Sequence, residues 1–217
     1  MAATGTETSG TTPARAERLA LCALLEDKGP LAPTLCEGWT TADLAAHLFV
    51  RESRPWAGAG ILVPMLSGIT ERAMNDAKRT YGYEGLIRRI RSGPPALLKT
   101  IDAQLNTVEY FVHHEDVRRA GPEPFEPRVS PELDAALWQS LKKAARLLAR
   151  RVRGAGLELV APGFGQVTAR SGEPKATMTG SPQELTLYLF GRKSAARVEI
   201  EGSDEARAAI EAAPFGI

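Results

Sequence analysis

A chain of 217 residues, 43% hydrophobic and 24% charged, can bury a core without disulfides and has the make-up of a soluble globular protein. A formal net charge of +1 gives no global field for nucleic acid or an anionic membrane, and no apolar run reaches the length of a membrane span. Cys22 and Cys36 make neither a disulfide framework nor a zinc-finger spacing, which predicts free thiols in a reducing cytoplasm.

Residues 1–12 are rich in Thr, Gly, Ala and Ser, with neither a basic nor an apolar segment, and read as a disordered tail rather than a signal peptide. From Pro13 a helical period sets in on Leu19, Cys22 and Leu25, and Gly29-Pro30 stops it. Thr40 and Asp43 form a variant capping box, with Trp39 and Leu44 placed as a hydrophobic staple, so a helix is predicted from Thr41 to about Arg54, before Pro55. His47 sits in its second turn, on or beside the apolar stripe. Residues 57–69 are apolar but broken by Gly and Pro. An exposed helix over Glu71–Lys78 and a short basic helix over Tyr83–Arg91 follow, the cluster Arg88, Arg89 and Arg91 reading as a solvated face.

Ser92-Gly93-Pro94-Pro95 is a break, and a long helix is predicted from about Pro95 or Ala96 to Arg119. Its apolar stripe is Ile101, Leu105, Val108 and Val112. At roughly 100° per residue, Glu109, His113 and Asp116 fall within about 80° of Leu105, while His114 falls on the opposite side. Two acids and an imidazole on a core-facing stripe are costly unless paired or metal-bound. Ser130-Pro131 opens another helix, with Leu133, Leu137, Leu141, Leu148 and Val152 on one side. Basic residues gather toward its C-terminal end, where they complement the helix dipole. Beyond Gly156 the pattern changes to strands at 157–160, 166–169 and 175–179, with a hairpin at Gly163-Phe164-Gly165. A capped helix from Ser181-Pro182, a strand near Val198–Glu201 and a last helix over Asp204–Ala212 complete the chain.

The expected fold class is α+β: a four-helix bundle over 13–153 followed by a small α/β unit over 157–217. A bundle core is where facing helices pool side chains for a metal. His47 with the Glu109-x-x-x-His113 pair would make a two-histidine, one-carboxylate set with an open coordination position, and Asp116 could orient a ligand. Spacing alone describes an ordinary polar pair on a helix surface equally well.

Gly38-Trp39-Thr40-Thr41-Ala42-Asp43-Leu44-Ala45-Ala46-His47-Leu48, followed by Glu109-x-x-x-His113-His114-x-Asp116, resembles the actinobacterial branch of the DinB-like superfamily, and within it proteins related to mycothiol-dependent maleylpyruvate isomerase. The stretch Gly180–Gly202, with Phe190-Gly191-Arg192 and Val198-Glu199-Ile200-Glu201-Gly202, is similar to that family's small C-terminal domain. The resemblance implies a DinB-like bundle holding a divalent metal, usually zinc, on His47, Glu109 and His113, with mycothiol as the thiol cofactor. The metal-bound thiolate would attack a small electrophile, in an isomerase or a transferase. Arg51, Arg54 and Arg192 are candidates for holding a substrate carboxylate, since arginine presents a bidentate fork. The expected partners are a low-molecular-weight thiol and a small electrophile, with no nucleic acid and no membrane; a homodimer is left open. A non-catalytic metal-binding module is the competing reading. A DNA-binding regulator has only the basic runs around Arg88 and Arg150 in its favour and lacks a helix-turn-helix.

Overall fold

The computed structural model of the chain describes residues 11–53, 67–93, 103–121 and 125–216. The expected tail falls almost wholly outside them, as do most of the 57–69 segment, Arg54, and the residues before Ala103 in the long helix. The order of elements is α1 (Pro13–Lys28), α2 (Thr41–Ser53), α3 (Ser67–Ser92), α4 (Ala103–Arg118), α5 (Pro131–Leu148), β1 (Gly156–Ala161), β2 (Gly165–Arg170), β3 (Lys175–Thr179), α6 (Pro182–Leu189), a short 3-10 turn (Lys193–Ala195), β4 (Glu199–Gly202) and α7 (Asp204–Ala212). This is the expected α+β arrangement, a helical region followed by a small α/β unit. No helix among the described residues is long and apolar enough to cross a membrane.

The helix ends follow local chemistry. The Thr12 side chain accepts from the Arg15 N–H with Pro13 beside it, and Gly29 closes α1 at φ 73°, a conformation open to glycine. At the start of α2 the Asp43 carboxylate accepts from the Thr40 N–H at 3.0 Å and from its hydroxyl at 2.8 Å, the reach-back expected of a capping box. The Thr41 and Ala42 N–H groups are taken by the Ala32 and Pro30 carbonyls, so the connector from α1 is itself part of the cap. In α6 the Ser181 hydroxyl accepts from the Glu184 N–H, but the Glu184 carboxylate turns to Arg119 and the Arg197 N–H instead of reaching back.

One core joins α1 to α4: Leu21, Cys22 and Leu25 meet Leu44, Leu48 and Val50, Ala73, Met74, Ala77, Leu86, Ile87 and Ile90, and Tyr110 and Val117. Three expectations change here. Leu19 is 37% exposed, and Leu21 takes its place, with Glu17 and Arg18 buried in ion pairs beside it. The segment Glu71–Lys78 is not an exposed helix. It belongs to α3, which is broken at Gly82 (φ 62°, ψ 173°), and it buries Ala73, Met74 and Ala77. Finally, α5 ends at Leu148 and divides its stripe: Leu133 and Leu137 pack with Phe111 and Val112 of α4, while Trp138, Leu141, Ala145 and Leu148 cover the sheet.

The sheet has the order β2-β1-β3-β4, with β1 antiparallel to β2, parallel to β3, and β3 antiparallel to β4. Leu157, Leu159, Ala169, Ala176 and Met178 point to the face covered by α5, α6 and α7. Gly156 cannot carry a side chain, because a Cβ there would lie 2.2 Å from the Gly172 carbonyl oxygen.

The two thiols differ sharply. Cys22 is fully buried, and burial pushes its thiol up to about 11, with the Arg91 and Arg18 charges offsetting only part of this. Cys36 is half-buried. Iodoacetamide applied to the native protein is expected to modify Cys36 and spare Cys22 until unfolding, read by peptide mass mapping.

Candidate metal centre

Two helices build the site. His47 lies in the second turn of α2; Glu109 and His113 lie one turn apart on α4. The Nε2 atoms of His47 and His113 converge on the same oxygen, Glu109 Oε1, at 3.4 and 3.3 Å. One ligand atom from each of the three residues lies within 4.8 Å of the others, a separation that a single cation can bridge. The two imidazole rings meet edge to face with centroids 5.2 Å apart, and Trp39, at the cap of α2, packs against His47 at 5.0 Å.

Asp116 orients the second histidine. His113 Nδ1 lies 2.9 Å from Asp116 Oδ2, and because a carboxylate only accepts, the Nδ1 proton stays on the ring and Nε2 is the atom offered to the site. Asp116 is fully buried and is itself held by the C-terminal unit: Arg192, on the turn after α6, donates from Nε to Oδ1 at 2.8 Å and from Nη2 to Oδ2 at 2.7 Å. Arg192 Nη1 donates to the Phe190 carbonyl, so most of its fork is committed to the protein. Cys36 completes this layer, with Sγ 3.2 Å from Asp116 Oδ2 and 3.5 Å from Arg192 Nη2. Arg51, one turn past His47, forms an ion pair with Glu109, Nε to Oε1 at 3.2 Å, and donates from Nη1 to Asn106 Oδ1 at 3.1 Å.

The charges follow from these contacts. Burial pushes the Glu109 carboxyl up, but His113, His47 and Arg51 together hold it well below the usual carboxylate range. Burial lowers His113, and its bonds to Asp116, Cys36 and Glu109 more than offset this, leaving it well above the ordinary imidazole value. For His47 burial prevails and the ring is held low. Asp116 is raised by burial and lowered further by His113 and Arg192, to about 2. The cluster therefore sets two carboxylates against one imidazole favoured in its charged form and one favoured neutral, with two arginines beside them.

Of the sequence-predicted site residues, His47, Glu109, His113 and Asp116 come together. Arg51 and Arg192 flank them from opposite sides, and Arg54 lies outside the described residues. The sequence reading missed Cys36 and Trp39 at the site. It also placed His114 opposite the apolar stripe without saying what it meets. His114 is buried, with Nδ1 3.1 Å from Glu17 Oε2, in a network that includes Arg128 and Glu115.

Residues 11–107 match the family model described as the mycothiol maleylpyruvate isomerase N-terminal domain. That match takes in His47 and Arg51 and stops two residues before Glu109. The fold extends further. A crystal structure of mycothiol-dependent maleylpyruvate isomerase superposes with a TM-score of 0.57 at 18% identity, over 89% of this chain and 91% of that one. A histidine-to-alanine variant of that enzyme gives 0.57 at 17% identity over the same shares. No curated protein sequence matches the chain.

Proposed function

We propose that the chain is a divalent-metal protein, with zinc as the metal, that uses mycothiol or a similar low-molecular-weight thiol to transform a small electrophile. The observation that carries this reading is the convergence of His47 Nε2 and His113 Nε2 on Glu109 Oε1, with the His113 tautomer set by Asp116. Two nitrogens and one carboxylate oxygen suit zinc, and three protein ligands leave a position for an exogenous group. When bound, such a cation keeps a thiol as its thiolate at neutral pH.

The protein's own residues then have separate tasks. His47, Glu109 and His113 form the ligand set. Asp116 holds the His113 ring and its proton, and Arg192 holds Asp116. Trp39 packs on His47 and restricts its rotation. Arg51, Arg54 and Arg192 are the groups for a substrate's negative charge; the Arg51 side chain retains 23% exposure beside the ligand oxygen, and Arg192 adds its charge from the C-terminal side. In this division a bundle over 13–153 provides the metal, and an α/β unit over 157–217 provides the arginine that braces it.

The reaction is addition of the thiolate to an activated double bond, which forms the C–S bond and moves the alkene's electron pair onto the activating group as an enolate. Rotation about the resulting single bond and expulsion of the thiolate make it an isomerisation; return to the enolate carbon of the proton that the thiol gave up retains the adduct and makes it a transfer. The proposed use of a low-molecular-weight thiol goes with a cytoplasmic location. The test is turnover of an electron-poor alkene or a related electrophile by zinc-loaded protein with mycothiol. Thiol- and metal-dependent product is the expected outcome. Stoichiometric zinc with no turnover across a panel of thiols and electrophiles would leave a non-catalytic metal-binding module.

A further inference from the structure

Three nitrogens address Glu109 Oε1: His113 Nε2 at 3.3 Å, His47 Nε2 at 3.4 Å and Arg51 Nε at 3.2 Å. A carboxylate oxygen offers about two lone-pair directions, so the three cannot all bond it well. Two of them are the candidate metal ligands, whose places on this oxygen a metal would take over. The third is a fixed positive charge. Arg51 projects from α2 one turn after His47, and its two partners, Glu109 and Asn106, lie one turn apart on α4. The guanidinium is thus pinned between the two helices that build the site.

We infer that Arg51 is an internal counter-cation that competes with the metal for Glu109: it neutralises the carboxylate in the metal-free protein and must yield when a dication arrives. The inference rests on the metal-site reading above and adds to it which residue sets the affinity. Two effects of Arg51 oppose each other. Its ion pair braces Glu109 in the ligating position, which favours metal. Its charge, held against the ligand oxygen, repels a dication. The brace is one contact on one carboxylate oxygen, while charges of +1 and +2 separated by a few ångströms in a partly buried site repel strongly. Repulsion therefore prevails. Asn106 Oδ1, a neutral acceptor, keeps the displaced guanidinium beside the site, where it can serve an anionic substrate once metal is bound. Metal would then enter first and the anion second.

The experiment is calorimetric titration of apo protein with Zn²⁺ alone, comparing wild type, Arg51→Met, Arg51→Gln, Arg51→Lys and His47→Ala. Arg51→Met and Arg51→Gln are expected to bind at least about tenfold more tightly than wild type, and Arg51→Lys within about threefold of it, since the charge is kept. The two neutral variants report the same quantity, so the result does not hang on one of them folding. A purely bracing role predicts the reverse sign. Wild type that binds zinc while both neutral variants bind it equally or more weakly would overturn the inference and leave the metal site standing, as would Arg51→Lys tightening as much as Arg51→Met. No zinc binding by wild type, or undiminished binding by His47→Ala, would overturn the metal reading itself and the inference with it.

Discussion

Replacing His47 by alanine is expected to remove the metal from the purified protein and to weaken zinc binding by more than about 100-fold. Outer partners of a metal ligand are alone worth about 10–100-fold, and His47 is one of only three candidate ligands. Elemental analysis and titration of the apo protein check it; unchanged zinc content would sink the ligand assignment. Asp116→Asn should fall in the intermediate range. The amide can donate as well as accept, so His113 is no longer held to one tautomer, and Arg192 loses its bidentate anion. Proton release gives an independent readout. Asp116, Cys36 and Glu109 raise His113 above the ordinary imidazole value in the metal-free protein, so a cation competes with a proton for Nε2. Zinc affinity should accordingly rise with pH until His113 has lost that proton unaided. Calorimetry in buffers of different ionisation enthalpy should show protons released as zinc binds at neutral pH, and fewer from His113→Ala.

Much of this centre is legible in the sequence because helical periodicity is local. The four-residue spacing of Glu109 and His113 and the three-residue spacing to Asp116 fix their common face without knowledge of the rest of the chain. The cap at Thr40 and Asp43 fixes the phase of His47 in the same way. What the spacing could not show is which distant residues meet these side chains. Cys36 is 80 residues from Asp116, and Arg192 is 76 residues from it, so their contacts depend on how the connector before α2 and the turn after α6 are folded against α4. Periodicity also said nothing of what covers the rest of this helix. His114, on the side opposite the stripe, is buried, as are Glu115 and Arg119. His114 meets Glu17, Glu115 meets Arg128 and Arg119 meets Glu184, each outside α4, and no buried side-chain nitrogen or oxygen among the described residues lacks a partner.

That buried network makes Arg119→Ala the substitution with the largest expected effect on stability, a loss of about 3–5 kcal/mol. The Arg119 side chain is 1% exposed. It bonds Glu115 from Nε, meets both oxygens of Glu184 at 2.9 and 2.8 Å, and donates to the Ala195 carbonyl at 2.6 Å. It thus joins α4 to α6 and to the turn that follows, while Phe125 lies under its guanidinium at 4.2 Å. Truncation leaves Glu184 with the Arg197 N–H alone and leaves a cavity beneath Phe125. For a chain of this size the loss corresponds to a fall in melting temperature of roughly 10 °C. A coupling energy near zero between Arg119→Ala and Glu184→Ala would show that the pair is not the source of the loss. Acid should act on the same layer. Glu115 and Glu17 are raised by burial but held below the ordinary carboxylate range, Glu115 by Arg118 and Arg119, Glu17 by His114 and Arg128. Their contribution is therefore complete above the unfolded carboxylate value and is lost as pH falls through their lower folded values. Urea denaturation between neutral pH and pH 3 should show stability declining below about pH 4.5. In Arg119→Ala the decline should be shallower, because Glu115 then has one cation fewer to hold its proton off.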